Sequence, residues 1–167
     1  EEAIKAYGGK PLLSRVGHAY IMDKMIQEGA VLGGEVSSHL YFADIYGFDD
    51  ALYAGLKLAE ILSKTDKRLS GIVDSIPRYP SIPVRTYDCP DEKKFRVVEK
   101  LTEEFKEMGY EIITIDGVKV ITPNGWFLIR ASNTLPQIKM KAEAKTEEKL
   151  SQLTNLAERK IMGKIRE

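Results

Sequence analysis

Pro77-Arg78-Tyr79-Pro80-Ser81-Ile82-Pro83 sets three prolines within seven residues, and how it is read decides the architecture. Proline has no N–H to give a helix or a strand ladder, so the stretch reads as a linker. It divides the 167 residues into segments 1–79 and 80–167, two small domains.

Upstream of the linker the pattern is strand, helix, strand, the rhythm of an α/β layer. Residues 1–9 read as a helix end stopped by Gly8-Gly9, and Pro11 to Val16 as a short buried strand. Gly17 to Gln27 carries Ile21 and Met25 at helical spacing, and Ala30 to Leu32 reads as a strand leading into Gly33-Gly34. A helix opens at Asp49 or Asp50 and runs to Leu62, with Leu52, Leu56, Ala59 and Leu62 along one face. A shorter helix follows around Leu69 to Ile76.

Downstream, Val84 to Asp88 alternates as a strand. Pro90-Asp91-Glu92 starts a helix ending at Gly109, with Phe95, Val98, Leu101, Phe105 and Met108 marking its buried face. Asp116-Gly117 and Asn124-Gly125 are turn signals between strands, and Gln137 to Ala144 is another strand. Trp126, Phe127 and Tyr110 read as core. Thr146 caps a last helix, with Glu147 and Glu148 in its first turn. One helix against an antiparallel sheet, closed by a second helix, makes this part a small α+β unit.

Composition excludes several classes. Lys+Arg and Asp+Glu both number 25, so the basic surplus of a nucleic-acid binder is missing. No apolar run approaches the ~18 residues that span a bilayer, and Glu1-Glu2-Ala3 is no signal-peptide start. The single cysteine, Cys89, excludes an internal disulfide and fits a reducing, cytoplasmic setting. A helix already under way at Glu1, with no initiating Met, is expected of a piece of a longer chain.

Three clusters could carry chemistry. Arg15-Val16-Gly17-His18 puts a turn glycine before a helix start from which His18 projects, although a turn with a partly buried histidine has the same pattern. Gly33-Gly34-Glu35-Val36-Ser37-Ser38-His39 places Glu35, Ser37 and His39 on alternate positions, sharing one side if extended. The glycines there would let backbone approach a ligand. A carboxylate, a hydroxyl and an imidazole suit a polyhydroxylated ligand, and the alternative is a solvated polar loop. Arg130-Ala131-Ser132-Asn133-Thr134-Leu135-Pro136 gathers a guanidinium, hydroxyls and an amide with no acidic residue among them. That set suits a phosphomonoester, and the alternative is an ordinary turn. No HxH, HExxH or CxxC spacing marks a metal site.

In this order, the clusters resemble the α-D-phosphohexomutase superfamily, which includes phosphomannomutase and phosphoglucomutase. The family's third domain carries T-G-H, here Val16-Gly17-His18, and then G-E-M-S-G-H, here Gly34-Glu35-Val36-Ser37-Ser38-His39. Its fourth domain carries R-x-S-N-T-x-P, here Arg130 to Pro136. Gly47-Phe48-Asp49-Asp50 and Asp116-Gly117-Val118 are similar to family sequence as well. Ser38 stands where the family has glycine, Val36 where it has methionine, and Leu135 where glutamate is frequent.

The resemblance implies an α/β/α third domain with a mixed sheet, truncated at its start (1–79), and a fourth domain of TATA-box-binding-protein-like α+β fold (80–167). It implies interconversion of hexose 1-phosphate and 6-phosphate through a phosphoserine and a bisphosphate. Gly34, Glu35, Ser37 and Ser38 would bind the sugar, and Arg130, Ser132, Asn133 and Thr134 the phosphate. His39 or His18 would serve as acid–base group or orienter. The serine loop T-x-S-H-N-P and the Mg2+ loop D-x-D-x-D-R are absent from these 167 residues. The chain alone is therefore expected to be inactive, with Mg2+ and the serine on missing domains of the same protein. The expected ligand is mannose or glucose phosphate, without nucleic acid or membrane. The same region of a phosphoglucosamine mutase, or a non-catalytic phosphosugar-binding paralogue, are the alternatives. Val36 argues against the first, because those mutases tend to carry a polar residue there.

Overall fold

The computed structural model describes residues 1–167. The chain is an α/β protein of two compact units, Glu1–Pro77 and Arg78–Glu167, divided within the proline-rich stretch. No helix is long and apolar enough to cross a membrane.

The first unit begins with α1 (Glu2–Ala6) and α2 (His18–Glu28). Strands β1 (Leu32–Gly34), β2 (Leu40–Phe42) and β3 (Phe48–Asp49) pair antiparallel in that order. Helices α3 (Ala51–Ser63) and α4 (Leu69–Asp74) complete it. Its buried core is Ile21, Met25 and Tyr41. Gly33 is what lets α2 lie against β1, since a Cβ there would come within 2.8 Å of Ile21 Cγ2 and Met25 Sδ. The glycine thus serves helix–strand approach rather than ligand approach.

Two expectations fail in this unit. Pro11 to Val16 is irregular, not a strand: Pro11 cannot complete a ladder and no neighbouring strand pairs with the segment. The Leu52/Leu56 face of α3 is not core, for Leu52 is 84% and Leu56 68% exposed. The helix is held instead through Tyr53, whose ring meets Phe42 edge-on at 5.0 Å and whose hydroxyl donates to Asp44. Asp50 caps α3 by accepting from the Tyr53 amide at 2.8 Å. An apolar stripe is buried only where another layer covers it, and within this unit none covers α3.

The second unit is a five-stranded antiparallel sheet of order β4-β8-β7-β6-β5. The strands are β4 (Arg85–Asp88), β5 (Glu111–Ile113), β6 (Val118–Thr122), β7 (Gly125–Ala131) and β8 (Gln137–Ala144). Helices α5 (Asp91–Glu107) and α6 (Glu147–Arg166) cover one face. Alternation along β7 decides what each residue does. Phe127, Ile129 and Ala131 enter the core, so Trp126, Leu128 and Arg130 take the other face. Trp126 is accordingly not core. It stacks under Lys119 at 4.4 Å and donates to Glu143.

The α5 stripe also differs from expectation. Phe95 and Met108 are exposed, while Lys94, Val97, Val98, Leu101 and Phe105 are buried. Phe95 lies one residue, ~100° of helix turn, off the stripe that Val98, Leu101 and Phe105 define. Thr146 caps α6 by accepting from the Lys149 amide.

Candidate functional site

β1 and β2 are joined by a hairpin loop that the Glu35 amide closes by donating to the His39 carbonyl at 3.0 Å. Glu35, Ser37 and His39 therefore meet through a turn and not through strand alternation. The loop packs beside the start of α2, where Gly17 (φ 127) allows the chain to turn into His18. The result is a cleft of ≈ 500 Å³ lined by His18, Met22, Glu35, Ser37, His39, Tyr41, Phe48 and Asp49. Four of the anticipated residues, His18, Glu35, Ser37 and His39, thus share one cleft. Gly34 and Ser38 shape the loop without lining it.

Reading the sequence for chemistry missed Tyr41 and gave Asp49 no link to His39. Asp49 Oδ2 takes the His39 Nδ1–H, while its Oδ1 accepts from the Leu40 amide at 3.0 Å. The His39 ring beside it, with the Leu40 amide, holds the Asp49 carboxyl below the usual carboxylate range. With Nδ1 committed to Asp49, the lone pair of a neutral His39 ring lies on Nε2. Tyr41 is 1% exposed and donates its hydroxyl to Glu35 Oε1 at 2.6 Å. Burial first, then Glu35, push its phenol up to about 12, so it remains a donor at neutral pH. Glu35 Oε2 is left as an acceptor for ligand hydroxyls. The ten-residue separation of His39 and Asp49 matches no short motif; only the family likeness of Gly47-Phe48-Asp49-Asp50 pointed to it.

Ser38 occupies the left-handed region at φ 71, where a Cβ crowds the following carbonyl. Ser38→Gly is therefore expected to stabilise the first unit by about 0.5–1 kcal/mol, net of the freedom glycine gains when unfolded. Urea or thermal unfolding measures this, and a loss of stability would contradict a strained Ser38.

In the second unit, Arg130 at the end of β7 is half-buried, its Nη1 3.8 Å from Asp116 Oδ2. The tertiary fold thus adds a carboxylate to a cluster that has none in sequence. Ser132 is 1% exposed, and its Oγ accepts from the Leu135 amide at 3.3 Å. It closes the turn instead of standing open to solvent. Asn133 and Thr134 are exposed, and their amides make no hydrogen bond within the protein. No three His, Cys, Asp or Glu side chains gather to hold a metal ion, so the residues present do not fit Mg2+.

Each unit matches a known family domain. Residues 1–79 match the family described as phosphoglucomutase/phosphomannomutase, alpha/beta/alpha domain III, and residues 87–159 its C-terminal domain. A phosphomannomutase/phosphoglucomutase of Pseudomonas aeruginosa is 38% identical over 151 residues, 90% of this chain and 33% of the relative. A Neisseria gonorrhoeae phosphoglucomutase is 39% identical, covering 91% of this chain and 34% of the relative. A Methanococcus vannielii phosphoglucosamine mutase is 33% identical, covering 93% and 35%. A crystal structure of a phosphoglucomutase/phosphomannomutase family protein from Burkholderia thailandensis superposes with TM-score 0.85 at 33% identity. It covers 98% of this chain and 34% of that one. The chain spans about a third of the length of these relatives.

Proposed function

The chain belongs to the phosphoglucomutase/phosphomannomutase family, and from that premise we propose that it is the substrate-recognition part of a phosphohexomutase interconverting hexose 1- and 6-phosphates. The observation that carries this is the single cleft joining Glu35, Ser37, His18 and His39. Glu35 Oε2 and the Ser37 hydroxyl are its partners for sugar hydroxyls. His39, oriented by Asp49, presents Nε2 as the proton acceptor for an attacking hydroxyl, and His18 orients ligand from the helix start. In the second unit Arg130, Asn133 and Thr134 supply donors to a phosphoryl group, with Ser132 shaping their turn. The phosphoserine and the Mg2+ of the reaction would lie on other domains of the longer protein, and no step here runs through the metal. The phosphoglucosamine mutase among the relatives keeps an amino-sugar phosphate as the second substrate candidate.

Adding mannose 1-phosphate or glucose 1-phosphate to the 167-residue chain is expected to shift amide signals at Glu35, Ser37 and His39. Inorganic phosphate should leave those three unmoved. Glu35→Gln, which loses the charge and replaces one acceptor oxygen by an NH2 donor, should weaken the sugar response by roughly tenfold. A first unit blind to both sugars, or steady turnover by the chain alone, would defeat this assignment.

A further inference from the structure

Among the buried residues only Lys94 is charged, its side chain 5% exposed at the N-terminal end of the buried stripe of α5. Its one carboxylate partner, Asp91 at 2.6 Å, is itself 69% exposed. A buried ammonium is costly to desolvate, and leucine or methionine would pack this position more favourably. The packing of α5 is already supplied by Val97, Val98, Leu101 and Phe105, so helix docking does not require the charge.

What the charge touches is the 132–136 loop. Lys94 Nζ donates to the Leu135 carbonyl at 3.0 Å, which also accepts from the Gln137 amide at 2.8 Å. The Pro136 carbonyl is drawn toward the same end of α5 by the Cys89 amide at 2.9 Å. Ser132 N–H is taken by the Gln137 carbonyl at 2.8 Å, and the Leu135 N–H by Ser132 Oγ. The carbonyls at the end of the loop are thereby turned inward, and the amides of Asn133 and Thr134 are left without a protein partner. An anion is bound by a concavity of N–H groups and repelled by carbonyl oxygens, so this is the polarity an anion-binding turn needs.

We propose that Lys94 is a positioning residue for phosphate recognition, holding the Leu135 carbonyl inward so that the outer face of the loop presents donors only. The proposal rests on the phosphate-binding role given above to Arg130, Asn133 and Thr134. Sequence offered no sign of it, because Lys94 stands 41 residues from Leu135 in a run of charged residues.

The test compares the 167-residue chain with its Lys94→Met variant, isosteric but unable to donate. Backbone amide signals are followed during titration with inorganic phosphate, and amide exchange is measured without ligand. The variant is expected to exchange the Ser132 and Leu135 amides roughly tenfold faster, to bind phosphate roughly tenfold more weakly, and to keep the Val120 and Phe127 signals in place. Replacing a purely structural lysine would change stability without moving phosphate affinity. Equal affinity in the two proteins therefore overturns the role of Lys94 and leaves the phosphate loop standing. No phosphate response in the unmutated chain overturns the loop's assignment, and this proposal with it. If Lys94→Met does not fold, Lys94→Leu, which also cannot donate, makes the same comparison. Loss of phosphate affinity is expected again, and unchanged affinity again overturns the proposal.

Discussion

Arg130→Ala is expected to weaken the response of the Asn133 and Thr134 amides to inorganic phosphate by ~10- to 100-fold. A charge-assisted hydrogen bond contributes about 1.5–3 kcal/mol, and each 1.4 kcal/mol is a factor of ten. Arg130 is suited to this because β7 alternation sends it to the sheet face away from α5 and α6, beside the 132–136 loop. Its ion pair with Asp116, at 3.8 Å, is longer than a hydrogen bond, so that contact orients the guanidinium without occupying its N–H donors. Titration of the chain with phosphate measures the effect. An unchanged affinity in Arg130→Ala would remove the guanidinium from the phosphate site and leave the exposed amides as the only donors there.

Gly117→Ala should be among the most damaging single changes in the second unit. Gly117 sits at φ +81, where an added Cβ is already unfavourable. That Cβ would also collide with the Ile129 carbonyl oxygen and come within 2.7 Å of Arg130 Cβ and 2.8 Å of Arg130 Cα. These are atoms of the central strand and cannot step aside without disturbing the β6–β7 ladder, in which Val118 pairs with Ile129. A cost of at least ~3 kcal/mol is expected, adding overpacking to backbone strain. Denaturant unfolding would show it, and any folded fraction should bind phosphate poorly because Arg130 is displaced. A cost under ~1 kcal/mol would mean that the Asp116-Gly117 turn is free to move away from β7.

The two sites differ in how far they could be read from residues alone. Glu35, Ser37 and His39 were legible because they fall within five residues and carry the family's motif. The reason they converge was not, since alternation in an extended strand was expected and a hairpin loop does the work. The pairings of Asp49 and Tyr41 escaped because a partner ten or six residues away across a turn leaves no periodic signal. Arg130 was legible as a candidate phosphate ligand, but its neighbour Asp116 is fourteen residues distant and meets it only when β6 pairs with β7.

The sequence by itself determined a linker-like Pro77–Pro83 stretch, the turns, a helix opening at Asp49 or Asp50, the cap at Thr146, and the family. Those depend on local chemistry: proline's missing N–H, glycine's tolerance of positive φ, side chains that satisfy helix-end amides. Only the tertiary structure decided which apolar stripes are covered. It left the Leu52/Leu56 face of α3 exposed and rotated the buried face of α5 off Phe95 and onto Lys94. Periodicity states that a helix has a face, but burial of that face depends on what packs against it. The same holds for polarity: whether a loop offers N–H groups or carbonyls is fixed by contacts such as that of Lys94 with Leu135, which no local pattern encodes.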